Sequence, residues 1–188
     1  MAESVLKKAN ARLKFLYRKK EFLNQNTRKL LVTSLIQCHF DYASSVWYTG
    51  LSQNLKSKLQ TTQNRVVRFI FNLEPRSHIT TDHIKSLNWL PVQSRVDQFM
   101  LCHVFKIINN LAPQYLKQFF LQTKQHSHLT RLSVKGGFGI PKVKSCGSKS
   151  FCFNAAKLWN NLPSMVAQIP KYKTFKVAVK NELLNQVK

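Results

Sequence analysis

Apolar residues recur at three- and four-residue steps through most of the first 120 positions, and that rhythm leaves helix as the main secondary structure open to the chain. From Ser4 to Lys20 the stripe is Val5, Leu6, Ala9, Leu13, Leu16 and Tyr17. Lys7, Lys8, Arg12, Lys14, Arg18 and Lys19 cover the remaining surface of that helix, with Glu3 and Glu21 as the acids beside them. Asn24, Asn26 and Thr27 are the N-cap residues offered to a second, more apolar helix over residues 28–48, which Gly50 ends.

Ser52 predicts the cap of a third helix, with Leu55, Leu59, Val66, Phe69 and Ile70 on one face, Arg65 and Arg68 beside them, and Pro75 as its stop. Thr81 predicts the cap of a short helix ending near Leu87. Pro91 fits the first turn of a longer one, where its missing N–H is harmless. The stripe of that helix is Val96, Phe99, Met100, His103, Val104, Ile107 and Leu111, and "PQYLKQFF" adds one or two turns.

The character changes after Leu121. The stretch to Ser150 holds four of the five glycines and no acid, and "GFGIPKVK" reads as loop or a short edge strand, Pro141 arguing against a central one. Helical pattern returns from Ser150 to Asn160 and from Thr174 to Gln186. The fold expected is therefore mainly α. It is a helical bundle over residues 1–120, with a small basic C-terminal annex over 121–188 that begins with a flexible loop, 121–149, and ends in helices.

With 44% hydrophobic residues and 13 Phe, a chain of 188 residues can bury a real core without staples. Its four cysteines, Cys38, Cys102, Cys146 and Cys152, are spread through mostly apolar runs and read as reduced, mostly buried thiols. The opening "MAESVLKKAN" has no apolar core of a secretory signal, and no apolar stretch nears the ~20 residues needed to cross a bilayer. An intracellular location, nucleus or cytoplasm, is expected, with no membrane partner.

Thirty Lys and Arg face seven acids, a net charge of +23. An AT-rich gene raises Lys, and Lys outnumbers Arg 22 to 8, but such bias does not by itself remove Asp and Glu. The balance favours contact with a polyanion such as nucleic acid.

The residues for catalysis are not assembled. His126-x-His128 and Cys146-x5-Cys152 lack the tighter pairing of zinc sites. Cys38–His39 and Cys102–His103 are helix neighbours whose side chains point about 100° apart, so neither is a dyad. "KGGFG" lacks the GK[ST] ending of a phosphate loop. Asp41, Asp82 and Asp97 stand on separate segments, whereas two-metal nucleotidyl transfer needs clustered carboxylates. No enzyme activity and no cofactor or metal is expected.

Binding remains. The first helix spans about 25 Å at 1.5 Å per residue and presents cations that can follow a phosphate backbone. The expected nucleic-acid-binding residues are Lys7, Lys8, Arg12, Lys14, Arg18, Lys19, Arg65 and Arg68, with Arg131, Lys135, Lys142, Lys144 and Lys149 from the glycine- and lysine-rich segment. Trp47, Trp89 and Trp159 each sit among apolar residues near a helix end, which predicts burial for all three rather than stacking on a base.

An ordered series of segments resembles a known family. "VLKKANARLKFLYRKKEFLNQNTRKLLVTSLIQCHFDYASSVWY" is similar to the region just after the polymerase palm of non-LTR, jockey-like retrotransposon reverse transcriptases. "LQTTQNRVVRFIF", "LNWLPVQSRVDQFMLCHVFKIINNLAPQYL", "FGIPKVKSCGSKSFCFNAAKLWNNLP" and "YKTFKVAVKNELL" follow in that family's order, from about Ser4 to Leu184. No single segment is a strong motif; the series carries the resemblance. It implies a thumb-like helical region and a C-terminal region that in an intact RNA-directed DNA polymerase grips template–primer duplex. The palm's paired aspartates are absent here, so the implied role is non-catalytic binding of DNA, RNA or hybrid duplex, with an intact element polymerase in trans as a further partner. The alternatives are a protein-interaction module and a relic reading frame without selected function.

Overall fold

The structure, a computed structural model, describes residues 1–121, 137–140, 142–144 and 147–186, and they form a mainly helical bundle with no strand among them. The order is α1 (Ala2–Tyr17), a 3-10 turn (Lys20–Phe22), α2 (Gln25–Val32), a π-helical turn (Thr33–Gln37), α3 (Cys38–Asp41), α4 (Ser44–Trp47), α5 (Gln53–Phe71), α6 (Thr81–Ser86), α7 (Val92–Ile108), α8 (Tyr115–Leu121), a second 3-10 turn (Gly147–Lys149), α9 (Phe151–Asn161), α10 (Ser164–Ala167) and α11 (Tyr172–Gln186). The chain divides into two compact units, Met1–Arg95 and Val96–Gln186. The division falls inside α7, earlier than the 120/121 boundary expected from composition. The physical reason is aromatic packing: Phe105 of α7 stacks on Phe175 of α11 at 4.4 Å, which binds the later part of α7 to the C-terminal helices.

In the first unit, α1 buries Ala2, Val5, Ala9, Leu13 and Leu16, one stripe at helical spacing, and packs on α5 and on the π turn. Leu6 is only half-buried and Tyr17 is 39% exposed, so these two predicted core residues sit at the stripe's edge. The helices α1 and α5 run parallel, since Leu6 lies near Lys58 while Tyr17 lies near Arg68 and Leu73. From α5 come Leu59, Val66, Val67, Phe69 and Ile70, all essentially inaccessible.

The single helix expected over residues 28–48 is broken. A π turn adds a residue to one helical repeat, which leaves the ladder out of step; Arg12 Nη1 donates to Leu35 O there at 2.7 Å. Ala43 then takes a left-handed conformation, φ 49°, and ends the run seven residues before Gly50. The freed carbonyl of Tyr42 is taken by the Trp47 indole N–H at 2.9 Å, which offsets part of the left-handed cost. Trp47 is thereby half-buried, not core.

Asn24 caps α2 by accepting from Thr27 N at 2.8 Å, and Ser52 caps α5 by accepting from Leu55 N at 3.5 Å, as the sequence predicts. The cap of α6 is Thr80 rather than Thr81, in a box with His83, and Pro91 precedes α7 rather than opening it. Three helices end alike. Asn72, Asn88 and Asn110 are left-handed, at φ 57–58°, and the next residue's N–H returns to the carbonyl five back: Leu73 to Arg68, Trp89 to Ile84, Leu111 to Lys106. The α5 stop is therefore Asn72, with Pro75 beyond it.

The second unit has an aromatic core of Phe105, Phe120, Phe138, Trp159 and Phe175, all buried. Trp159 lies 6.2 Å from Phe138 and 5.8 Å from Phe175, ring centre to ring centre, so its expected burial holds; Trp89 is buried too. Ser150 caps α9 by accepting from Phe153 N at 3.3 Å. Of the expected α7 stripe, His103 and Leu111 are exposed, while Leu101 and Phe105 are buried in their place. The described part of "GFGIPKVK" is loop. Its backbone has a different partner from a strand: Asn160 accepts from Phe138 N at 2.8 Å and donates to Phe138 O at 2.7 Å.

Candidate functional site

The parallel pairing of α1 and α5 decides where cations gather. On α1 the residues Leu6, Asn10, Leu13, Lys14 and Tyr17 follow three- and four-residue steps along the edge facing α5. On α5 the line is Lys58, Thr61, Arg65 and Arg68, again at helical spacing. Between the two lines lies a groove of about 640 Å³, closed at one end by Lys20, Leu73 and Pro75. A smaller hollow of about 240 Å³, sharing Asn10 and Arg65 with it, extends toward Leu6 and Lys58. Five cations line the pair: Lys14, Lys20, Lys58, Arg65 and Arg68. Among the described residues no carboxylate lines either hollow.

Each wall is held by a specific contact. Arg68 Nε donates to Ser77 O at 2.8 Å, which ties the guanidinium to the turn after α5. Lys20 is set by a residue outside the groove: buried Arg28 donates from Nη2 to Lys20 O at 3.1 Å and from Nη1 to Phe69 O at 3.5 Å. Tyr17 packs edge-on to Phe69, centroids 5.0 Å apart, its hydroxyl donates to Arg65 O at 3.5 Å, and Lys20 Nζ lies 5.7 Å from the ring centre. Burial pushes the Tyr17 phenol up, with Arg68 and Arg65 pulling the other way, so the ring stays neutral.

The expected binding residues are only partly brought together. Lys14, Arg65 and Arg68 line the groove. Lys7 and Arg18 are exposed and, at 100° per residue, point away from the buried stripe, while Lys19 is exposed just beyond the helix. Lys8 and Arg12 lie on the other flank, where they face His39. Arg12 is committed to Leu35 O and half-buried, so it belongs to the packing of α1 on the π turn. Lys142, Lys144 and Lys149 are exposed and belong to the second unit; Arg131 and Lys135 lie outside the described residues. The sequence reading missed Lys20 and Lys58. Lys58 carried a signal, since it continues the Arg65–Arg68 line by about two turns; Lys20 carried none, because its place depends on Arg28.

The remaining polar groups of the described residues are engaged or apart from the groove. Asp41 is held by Arg95, whose Nη2 donates to Oδ2 at 2.6 Å and whose Nε donates to Oδ1, and it accepts from Gln37 Nε2 at 3.3 Å. Among the described residues no group of three or more His, Cys, Asp or Glu is placed to hold a metal ion. His126, His128 and Cys146 lie outside them. Burial pushes the Cys102 and Cys152 thiols up, away from thiolate, and Cys38 is exposed rather than buried. Among the described residues no helix is long and apolar enough to cross a membrane. No protein-family model, no curated protein and no solved structure matches the chain.

Proposed function

We propose that this chain is a non-catalytic nucleic-acid-binding fragment related to the thumb and post-thumb region of non-LTR retrotransposon reverse transcriptases. The observation that carries the reading is the α1–α5 groove, lined by five cations and no carboxylate. Such a cluster is costly to hold together unless a polyanion neutralises it, and phosphate binding gains further from the release of condensed counterions. Asp41 is occupied by Arg95 and Asp82 stands on a different helix, α6, which supports binding without phosphoryl chemistry. The ligand follows as the backbone of DNA, RNA or a hybrid, met in the nucleus or cytoplasm, with an intact element polymerase as the natural companion in trans.

The test is a salt titration with fluorescent DNA and RNA–DNA hybrid probes. Neutralising about five phosphates lowers affinity about 500-fold between ~50 and ~200 mM salt. Reversing Lys14, Lys20, Lys58 and Arg65 to Glu, with Arg68 left to hold its turn, is expected to remove binding. Reversing Lys7, Lys8, Arg18 and Lys19 is expected to leave most of it. A flat salt response, or binding by a folded groove variant at wild-type strength, refutes the proposal.

A further inference from the structure

We infer that the α1–α5 groove takes one single strand of nucleic acid, with a base stacked on Tyr17. The inference rests on the reading that this groove binds nucleic acid and goes beyond it in naming the strand state and the stacking residue. Three observations lead to it.

The first is width. The walls are neighbouring packed helices, whose axes lie only about 8–10 Å apart, so the groove is a surface crease between touching helices. A B-form duplex, whose major groove alone is about 12 Å across, is too broad to enter. A lone phosphodiester chain lying along the crease meets cations from both walls: Lys14 and Lys20 on one side, Lys58, Arg65 and Arg68 on the other. A duplex lying across the mouth would reach these side chains with one backbone only.

Length is the second. Lys58 to Arg68 is ten residues along α5, about 15 Å at helical rise. At ~3.4 Å per phosphate in a stacked strand that distance accommodates about four nucleotides.

The third is Tyr17. It is an aromatic ring in the lining, it is 39% exposed, and it stands among the cations instead of apart from them. Phe69 fixes it from the core side, edge-on, and the hydroxyl contact to Arg65 O limits its rotation. The lysine near its ring, Lys20, is 5.7 Å from the centre and half-exposed, a contact a base can displace. A ring fixed at its rear, open at the front and flanked by cations is the arrangement on which single strands stack without sequence preference.

The experiment measures fluorescence anisotropy with three probes of about twelve nucleotides, enough to overfill the groove: oligo-dT, an abasic strand of equal charge, and a duplex. The wild-type chain is expected to bind oligo-dT more tightly than the duplex at equal phosphate concentration. The abasic strand is expected to bind on the order of tenfold more weakly than oligo-dT. Tyr17→Phe should keep that difference, and Tyr17→Leu should bring the oligo-dT and abasic affinities together. The abasic comparison needs no variant, so it stands even where Tyr17→Leu fails to fold. Equal binding of the abasic strand, or a duplex bound as tightly as oligo-dT, overturns the inference and leaves phosphate binding intact. Failure of all three probes to bind defeats the functional reading itself, and this inference with it.

Discussion

Asn160 holds both polar backbone atoms of Phe138, accepting from its N–H at 2.8 Å and donating to its carbonyl at 2.7 Å. The side-chain amide does for that residue what a neighbouring strand would do. It fixes Phe138 against Phe120 and Trp159, at centroid distances of 5.1 and 6.2 Å.

Asn160→Asp tests that clamp with almost no change of shape. The carboxylate still accepts from Phe138 N but cannot donate, so a partly buried carbonyl loses its partner and faces a negative charge. Stability is expected to fall by about 1–3 kcal/mol, read as a lower urea midpoint with an unchanged slope. An unmoved midpoint would remove the clamp from the account.

His39 is expected to make the fold sensitive to acid. Burial is the main cause holding its imidazole below the ordinary value, Arg12 and Lys8 from α1 add to it, and its Nε2 is buried without a hydrogen-bond partner. The folded chain therefore prefers the neutral ring. Between the folded value and the unfolded value of about 6.5, the unfolded chain binds more protons, so stability is full above that window and falls as pH drops through it. His39→Gln is expected to flatten the stability profile below about pH 6.5. An equal slope in both proteins would assign the acid sensitivity elsewhere.

Ionic strength should act on folding and on binding in opposite senses. A chain of charge +23 repels itself when compact, and salt shortens the reach of that repulsion from about 30 Å at 0.01 M to about 8 Å at 0.15 M. The thermal midpoint is expected to rise by several degrees over this range in sodium chloride, while nucleic-acid affinity falls. A midpoint that drops with salt would mean attractive ion pairs outweigh the like-charge contacts.

The helices were legible because their apolar rhythm is local, and so was the cap Ser52, whose side chain serves the N–H group three residues on. What escaped the sequence was settled by partners distant in the chain or unusual in type. At Ala43 the break is accompanied by Trp47 capturing Tyr42 O, a contact with no apolar rhythm to announce it. Left-handed asparagines end α5, α6 and α7, and their signal, an Asn followed by Leu or Trp, was present in "FNL", "LNW" and "NNL" but unread. The groove was half-legible. Density of charge along the chain pointed to α1 as a whole, whereas the pairing of α1 with α5 selects Lys14 from it and adds Lys58 and Lys20. A count along one helix cannot see a wall supplied by another.

The common direction of α1 and α5 has an electrical consequence. Both helices finish at the same end, α1 at Tyr17 and α5 at Phe71, and each macrodipole leaves about half a negative charge there. Lys14 and Arg68 lie in the last turns, beside those two negative poles. The poles lower the cost of crowding cations into that corner, each cation gaining about 0.3–1 kcal/mol. The same residues that would meet a strand also complete the ends of the helices that carry them.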